Sequence, residues 1–183
     1  MKTALLVVDM VKDFTDPDGL VFYPQNREVL PVIKKVVDHF HDTNQLVIYL
    51  RHSYRAGKYD RNLEEMRPNC IAGTGGDEID PMLPVLKQDY QVFKRRYSGF
   101  FGTDLDLILR EHDIRRVVIV GTKTNCCIRA TVTDAYYLDY RAVVLSDCVA
   151  TNSDVVNEVH LQDIDKYLGT VMTSDTFISR DKL

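Results

Sequence analysis

The sequence lacks a long apolar run and has few of the residues that interrupt regular structure. Its 183 residues include only nine glycines and six prolines, which argues against a disordered, collagen-like or linker-rich chain. Nothing approaches the roughly 20 consecutive apolar residues of a membrane span. The first apolar run begins at Thr3 and ends before Asp9, so it is shorter than the roughly 7 to 15 residues of a secretion signal. We therefore expect neither membrane association nor a secretion signal.

Positive charge is not in excess either, and cysteine is sparse. Lys and Arg number 23 against 27 Asp and Glu, a net charge of -4, whereas proteins that neutralise nucleic-acid phosphates usually carry a basic surplus. We expect a small-molecule partner and no nucleic acid. The four cysteines have no CxxC spacing, and adjacent Cys126 and Cys127 are poorly placed for an unstrained mutual disulfide. A reduced, cytoplasmic location is the resulting expectation.

Apolar residues, at 45% of the chain, are plentiful enough for a sizeable core. A length of 183 residues predicts a single domain over 1–183. Short β-branched runs predict six strands that alternate with segments of helical spacing, and these runs lie at 4–8, 46–50, 91–93, 117–120, 142–145 and 170–173. The alternation predicts an α/β fold, a three-layer α/β/α arrangement around a doubly wound, Rossmann-like, six-stranded parallel sheet.

One connection, at residues 53–89, is too long and too polar to be a simple turn. It contains an Ala-Gly-Thr-Gly-Gly run that ends at Gly76, together with Pro81 and Pro84. Its spacing predicts only two short helices, near 62–66 and 79–86. Loops longer than about 12 to 15 residues are uncommon in compact domains unless they are functional or disordered. We expect this segment to form a modest lid over a site at the carboxyl ends of the strands.

Three of the predicted strands end at side chains suited to chemistry. Asp9 follows the first and Lys94 the third, and the fourth leads through Gly121 to Cys126 and Cys127 at the start of a predicted helix. The dipole and free amides of a helix N-terminus lower the pKa of a thiol and favour the thiolate, and the same amides can stabilise an oxyanion. The alternatives are structural. Asp9 would be a loop carboxylate that accepts from backbone amides, Lys94 a solvated surface side chain, and the two cysteines small core residues.

Histidine offers little support for a metal centre or a protease-like dyad. His52 ends the second predicted strand, whereas the other four lie in or beside predicted helices. No HExxH spacing occurs, and the one HxH pair, His39 and His41, lies within a predicted helix, so a three-ligand zinc site is poorly supported. No well-placed histidine pairs with the cysteines. A cysteine with an aspartate and a lysine is the constellation that remains.

Four motifs together resemble the isochorismatase-like cysteine hydrolase superfamily, which includes N-carbamoylsarcosine amidohydrolases, nicotinamidases and ureidoacrylate-type amidohydrolases. The motifs are Val-Val-Asp9-Met-Val-Lys-Asp-Phe14, Ala-Gly-Thr-Gly-Gly76, the stretch from Lys94 through Tyr-Ser-Gly-Phe to Gly-Thr-Asp-Leu105, and Gly121-x-x-Thr124-Asn-x-Cys127-Ile. Each motif is weak by itself. Their order and spacing cover nearly the whole chain and are specific.

The resemblance implies a catalytic triad of Asp9, Lys94 and Cys127, with Cys127 selected over Cys126 by its spacing from the preceding glycine and threonine. It also implies a cis peptide near 122–123 and an oxyanion hole formed by the backbone N–H groups of Lys123 and Cys127. No cofactor is implied. The catalytic apparatus would therefore consist of the chain's own residues.

A metal site is not expected from the resemblance. Metal-binding nicotinamidases carry an Asp-x-His at the end of the second strand and a further histidine in the following segment. Here the first of these reads Leu50-Arg51-His52, and residues 53–89 contain no histidine. The departure also lowers the weight of a nicotinamidase interpretation.

The resemblance further implies an amidohydrolase that cleaves a small amide or carbamoyl C–N bond through a thioester and releases ammonia. Retention of Cys127 favours amide hydrolysis over vinyl-ether cleavage, because isochorismatases proper often lack the cysteine. N-carbamoylsarcosine or a similar N-carbamoyl acid is the expected substrate, and nicotinamide is the alternative. A non-catalytic or thiol redox-sensing relative is the alternative of another class. The family also implies a homo-oligomer, a dimer or tetramer, in which a neighbouring subunit completes the pocket.

The candidate substrate contacts follow from the chemistry of such a substrate. An N-carbamoyl acid needs a cation for its carboxylate, and an apolar wall would suit either this substrate or the flat ring of nicotinamide. The candidates are Phe14, Arg51, His52, Arg55, Tyr97, Phe100 and Arg129. For each arginine, a solvated surface position is the alternative.

Overall fold

The computed structural model describes residues 1–181, which are organised around one six-stranded parallel sheet. The spatial order of the strands is β3-β2-β1-β4-β5-β6, and every pairing is parallel. The strands are β1 (Thr3–Val8), β2 (Leu46–His52), β3 (Tyr90–Lys94), β4 (Arg116–Thr122), β5 (Arg141–Ala150) and β6 (Thr170–Met172). All six predicted runs form strands, which confirms the predicted α/β fold.

Helices cover both faces of the sheet because alternate strand residues point to opposite sides. Ala4, Leu6 and Val8 of β1 belong to one buried cluster, whereas Leu5 and Val7 belong to the other. The helices are α1 (Lys12–Thr15), α2 (Pro24–Asp42), α3 (Arg61–Glu65), α4 (Leu105–Glu111), α5 (Arg129–Tyr137), α6 (Asp154–Tyr167) and α7 (Ser174–Asp181), and a π-helical turn at Thr124–Ile128 precedes α5. Across residues 1–181, none of these helices combines the length and apolar character needed to cross a membrane.

The two halves of the sheet meet between β1 and β4. From β1 the chain winds outward through β2 to β3, and then returns to place β4 on the other side of β1. In open parallel sheets the connections on the two sides of such a point diverge and leave a crevice at the carboxyl ends of the strands. The residues that follow β1 and β4 therefore border a crevice.

Gly121 allows β1 and β4 to approach closely at that crevice. Its φ of +116° lies where residues with a side chain are strained. A Cβ atom at this position would collide with the carbonyl oxygen of Val8, its register partner on β1. Glycine thus brings the carboxyl end of β4 against that of β1, and with it the turn that begins at Thr122.

Residues 53–89 differ in part from the sequence expectation. The predicted helix near 62–66 is present as α3, where the Asp60 side chain accepts a hydrogen bond from the Asn62 amide at 3.1 Å. The predicted helix near 79–86 is absent, and that expectation was wrong. Asp80 instead accepts from the Met82 amide at 2.9 Å in a turn, and Pro84 interrupts any helical continuation.

Candidate active site

A cavity of about 410 Å³ lies at the carboxyl end of the sheet, where the crevice is expected. Its lining comes from the end of β2, from residues 53–89 and from the segments that follow β1, β3, β4 and β5. It comprises Phe14, Val21, Phe22, Tyr23, His52, Tyr54, Met66, Arg67, Asn69, Tyr97, Lys123, Cys126, Cys127 and Asn152. The segment expected to be a lid therefore supplies part of the wall. A larger open groove of about 990 Å³ lies at the amino ends of the strands, near Thr3 and Leu46, and is remote from these groups.

Asp9 lies beside the cavity, next to Cys127, and three hydrogen bonds hold it in place. It follows β1 directly, with a φ of +54°, a conformation that aspartate tolerates better than most side chains. Its amide donates to the Leu50 carbonyl at 2.8 Å. Its Oδ1 accepts from the His52 amide at 2.8 Å and its Oδ2 accepts from Lys94 Nζ at 2.7 Å. The carboxylate is thus fixed by one amide and one ammonium.

Lys94 is a fully buried ammonium, with a side-chain exposure of 0%. Its Nζ donates to Asp9 Oδ2 and, at 3.2 Å, to the Arg96 carbonyl, and it lies 3.3 Å from His52 Nδ1. Burial by itself lowers the pKa of this lysine, but the Asp9 carboxylate and the Cys127 sulfur outweigh burial and raise it. Lys94 therefore stays protonated, and its charge is balanced by Asp9.

Cys127 lies beside both charges, within the π-helical turn that follows β4. A carboxylate oxygen of Asp9, a ring nitrogen of His52 and Cys127 Sγ all lie within 4.8 Å of one another. Burial raises the pKa of the thiol, the Asp9 carboxylate raises it further, and Lys94 opposes both. The expected lowering of this pKa by the helix N-terminus was wrong, because burial and a neighbouring carboxylate dominate at this position. The Cys127 side chain of the free protein is therefore a protonated thiol at neutral pH.

The backbone around Cys127 provides amide donors. The peptide bond between Thr122 and Lys123 is cis, as the resemblance implies. The Cys126 and Ile128 amides donate to the Lys123 carbonyl at 3.0 and 3.1 Å, and the Cys127 amide lies between them. Those two amides are therefore already bound, and the Cys127 amide is a remaining candidate donor in this turn for a negatively charged oxygen.

The donor set does not suit a resident metal ion. Asp9, His52 and Cys127 bring three potential ligand atoms together, but Lys94 Nζ lies 2.7 Å from Asp9 and 3.3 Å from His52 Nδ1. A buried ammonium therefore already holds the position of a cation between two of the three candidate ligands. The side chain two residues before His52 is the apolar Leu50, which offers no ligand atom.

The structure brings some of the predicted substrate contacts to the cavity and leaves others elsewhere. Phe14, His52 and Tyr97 line it. Phe100 stacks on Tyr140 at 5.8 Å between ring centroids and packs against the core. Its ring is therefore committed to the interior and not to the cavity wall.

The three predicted arginines all lie outside the cavity lining. Arg51 donates to the Asp77 carbonyl at 2.8 Å and to Gln91 at 2.7 Å, so its guanidinium is already bound. Arg55 is exposed in a turn. Arg129 forms an ion pair with Asp163 and lines a neighbouring depression of about 560 Å³ that shares Tyr97 and Cys126 with the cavity. Arg51 lies near the end of a strand and Arg129 at the start of a helix, and neither position in the sequence indicates which groups bind the guanidinium.

Two cations that sequence reasoning missed as substrate contacts line the cavity instead, Arg67 and the side chain of Lys123. Lys123 Nζ lies 5.7 Å from the centroid of the Tyr23 ring. Within the described residues neither cation has a carboxylate partner, and no Asp or Glu is among the residues that line the cavity. The lining therefore carries positive charge that the protein leaves uncompensated.

Comparison with known proteins identifies relatives along the whole chain. The isochorismatase domain model matches residues 3–176. The isochorismatase family protein YwoC of Bacillus subtilis is 32% identical, over 99% of this chain and 95% of its own length. The ureidoacrylate amidohydrolase RutB of Acinetobacter baylyi is 30% identical, over 97% of this chain and 83% of its own.

Solved structures show the same similarity in three dimensions. N-carbamoylsarcosine amidase of Thermoplasma acidophilum superposes with a TM-score of 0.86 at 32% identity, covering 96% of this chain and 98% of its own. Nicotinamidase/pyrazinamidase of Bacillus subtilis superposes with a TM-score of 0.88 at 27% identity, covering 94% of this chain and 100% of its own. These relatives share one fold and have different substrates in their names.

Proposed function

This chain belongs to the isochorismatase family of hydrolases, and we propose that it is a cysteine amidohydrolase that cleaves the C–N bond of a small amide or carbamoyl (ureido) compound and releases ammonia. The observation that carries the proposal is the meeting of Asp9, Lys94 and Cys127 beside a cavity that Cys127 lines. Relatives named as ureidoacrylate amidohydrolase and N-carbamoylsarcosine amidase support the reaction class.

Asp9 is the general base in this mechanism. Because Cys127 rests as a thiol with a raised pKa, it needs a nearby acceptor for its proton before it can attack. The Asp9 carboxylate lies beside the sulfur and forms an ion pair with the Lys94 ammonium. Proton transfer from Cys127 to Asp9 and attack of the sulfur on the substrate carbonyl then occur together, with Lys94 stabilising the developing thiolate.

The remaining steps restore the starting state of the enzyme. Attack forms the S–C bond and moves the carbonyl electron pair onto oxygen, where the backbone N–H groups of Lys123 and Cys127 stabilise the oxyanion. Collapse breaks the C–N bond, and Asp9 returns its proton to the nitrogen that leaves as ammonia. Water, deprotonated by Asp9, then attacks the thioester, or the thiocarbamate formed from a ureido substrate, and the sulfur leaves with that proton. No cofactor takes part in these steps.

The substrate class that we propose is an N-carbamoyl acid, with N-carbamoylsarcosine as the first candidate. Such a compound has a carbamoyl carbonyl for the thiol and a carboxylate for a cation. Lys123 and Arg67 supply uncompensated positive charge in the cavity lining, and an ion pair or charged hydrogen bond in a partly buried site favours an anion over a neutral ligand.

Nicotinamide is the second candidate, supported by a specific feature of the cavity. The rings of Phe14, Tyr23, Tyr54 and Tyr97 line it, and aromatic side chains bind a flat heteroaromatic ring well. Nicotinamide is neutral, however, so its binding would leave the Lys123 and Arg67 charges without a partner. The charge of the lining therefore favours the N-carbamoyl acid.

Ammonia release from a substrate panel tests this proposal. The panel contains N-carbamoylsarcosine, other N-carbamoyl amino acids, ureidoacrylate and nicotinamide. We expect turnover of at least one N-carbamoyl acid, with a higher kcat/KM than that for nicotinamide. Absence of ammonia from every compound, together with reversible oxidation of both Cys126 and Cys127, would instead favour a thiol redox sensor.

Replacing Lys123 by glutamine tests the charge argument. We expect the KM for the N-carbamoyl acid to rise roughly ten- to a hundredfold, because the side-chain cation is lost while the backbone amide stays in place. The kcat/KM for nicotinamide should change much less, since this substrate has no carboxylate. Arg55→Gln removes an exposed cation outside the cavity and is the matched control. An equal loss on both substrates in K123Q would contradict an anion-binding role.

A further inference from the structure

His52 is a buried side chain at the end of β2 that the proposed mechanism does not use. It is only 4% exposed, yet it is among the residues that line the cavity. Its register partner on β3 is Lys94, so the imidazole lies next to the proposed triad. The two ring nitrogens lie in different environments, and this difference determines which of them carries the proton.

The Nδ1 nitrogen faces an ammonium and is the acceptor. Lys94 Nζ lies 3.3 Å from it, and an ammonium has donors but no acceptor. A neutral imidazole carries its single proton on the other nitrogen in this arrangement, which is Nε2. Burial, and then the charge of Lys94, lower the pKa of His52 to about 4. The ring is accordingly neutral at neutral pH, with a fixed tautomer.

The Nε2–H group is therefore a donor without an acceptor. Within the described residues this nitrogen is buried and has no hydrogen-bond partner. The nearest aromatic neighbour, Tyr54, packs its ring against the imidazole at a centroid distance of 4.6 Å, while its hydroxyl accepts from Asn62 instead. Buried donors are seldom left unpaired in folded proteins, so a partner from outside the protein would remove an unfavourable feature of the free site.

We infer that His52 Nε2–H donates a hydrogen bond to an acceptor oxygen of the bound substrate, and so selects a compound that presents a carbonyl or carboxylate oxygen at this point of the cavity. The inference rests on the proposed function and deepens it by naming a specificity residue. A substrate that presents an N–H group there would oppose two donors, and one that presents a methyl group would leave Nε2–H unpaired. Both arrangements weaken binding.

Two substitutions of His52 separate the two ring nitrogens. In His52→Asn the short amide can place an oxygen near the Nδ1 position and still accept from Lys94, but it has no donor at the Nε2 position. In His52→Gln the longer amide can place an N–H near the Nε2 position and lacks the Nδ1 acceptor. We expect H52N to raise the KM of the best panel substrate roughly ten- to a hundredfold, with a smaller change in kcat, and H52Q to stay within about fivefold of the wild type.

Any other ranking of the two variants by KM would overturn the inference. Equal losses in the two variants, or a larger loss in H52Q, would mean that His52 acts by positioning Lys94 through Nδ1. Wild-type KM in both variants would mean that Nε2–H does not contact the substrate. The pH dependence of Cys127 alkylation in each variant reports whether the Asp9 and Lys94 charges are still in place beside the sulfur, so a damaged triad is recognised separately.

A spectroscopic measurement gives the same answer without substituting His52. In protein that carries ¹⁵N-labelled histidine and the Cys127→Ala substitution, two-bond ¹H–¹⁵N spectra should show the Nε2–H tautomer of His52 from pH 5.5 to 8. In a one-bond ¹H–¹⁵N spectrum, addition of the best substrate of the panel should move the signal of the His52 Nε2–H proton downfield. An Nδ1–H tautomer, or a signal that substrate leaves unchanged, overturns the inference.

The proposed function and this inference fail in distinguishable ways. If the wild type releases no ammonia from any panel compound, or if Cys127→Ala turns substrate over as the wild type does, the proposed function fails and the inference fails with it. If the wild type is active and requires Cys127, but the Asn and Gln variants behave in the reverse order, only the role of His52 is lost.

Discussion

Replacing Cys127 by alanine is expected to reduce the rate of ammonia release at least about 10³-fold, because covalent catalysis has no substitute when its nucleophile is removed. The sulfur lies beside the Asp9 carboxylate and lines the cavity, so it is placed to attack the carbonyl of a bound substrate. Alanine leaves a small space and no new charge, so the cavity and the ion pair should remain. The measurement is kcat for ammonia release on the best substrate of the panel.

Cys126→Ala is the matched control for this experiment. Cys126 is adjacent in sequence, half-buried, and lines the same cavity. The sulfur grouped with the Asp9 carboxylate and the His52 ring, however, is that of Cys127 and not that of Cys126. We expect C126A to lower kcat far less than C127A. A folded C127A protein that retains the wild-type rate would eliminate the nucleophile assignment. Equal losses in the two variants would mean that ammonia release requires both thiols and would contradict the assignment of Cys127 alone.

The fold was predictable because its signals are local. The central strands β1, β2, β4 and β5 are short runs rich in apolar and β-branched residues, as is typical of a parallel sheet buried on both faces. The carboxyl ends of parallel strands meet at one edge, so Asp9 and Lys94 could be placed near each other before any contact was known. The sequence also located both thiols at a helix start, and the resemblance to a family selected Cys127.

What the sequence could not indicate depends on distant contacts. The raised pKa of Cys127 results from burial next to Asp9, a contact between residues far apart in the chain. Arg51 was a reasonable carboxylate partner by position, yet Asp77 and Gln91 hold its guanidinium. Arg67 reaches the cavity only because of the path of residues 53–89, which no periodic pattern describes. Side-chain direction in an irregular segment has no local signal.

Asp9→Asn is expected to abolish turnover and, at the same time, to accelerate alkylation of Cys127. The two effects have opposite signs because Asp9 has two separate influences on the sulfur. As a base it accepts the thiol proton during catalysis, and asparagine does not accept it at neutral pH. As a negative charge it raises the pKa of the resting thiol. Once that charge is removed, the Lys94 ammonium, which lowers the pKa of the same thiol, acts without opposition.

The measurement is the rate of reaction with iodoacetamide between pH 6 and 9 in a Cys126→Ala background, followed by mass spectrometry of the peptide that contains Cys127. In the parent protein the rate should still be rising at pH 9, because burial and the Asp9 carboxylate raise the pKa of the thiol above its ordinary value. In the D9N protein the rate at pH 7 should be about tenfold higher, while ammonia release falls at least about 10³-fold.

A matched control separates this electrostatic effect from a loss of stability. Asn at position 9 leaves Lys94 buried without its counterion, and breaking a buried pair costs about 3 to 5 kcal/mol, so the variant should also melt at a lower temperature. Asp80→Asn likewise removes a buried carboxylate, which accepts hydrogen bonds from Thr15 and Arg27. Asp80 does not belong to the group of residues around the Cys127 thiol. If D80N accelerated alkylation as strongly as D9N, local unfolding and not charge would be the cause. If D9N lost turnover with no faster alkylation, Asp9 would act as a base without setting the resting state of the thiol.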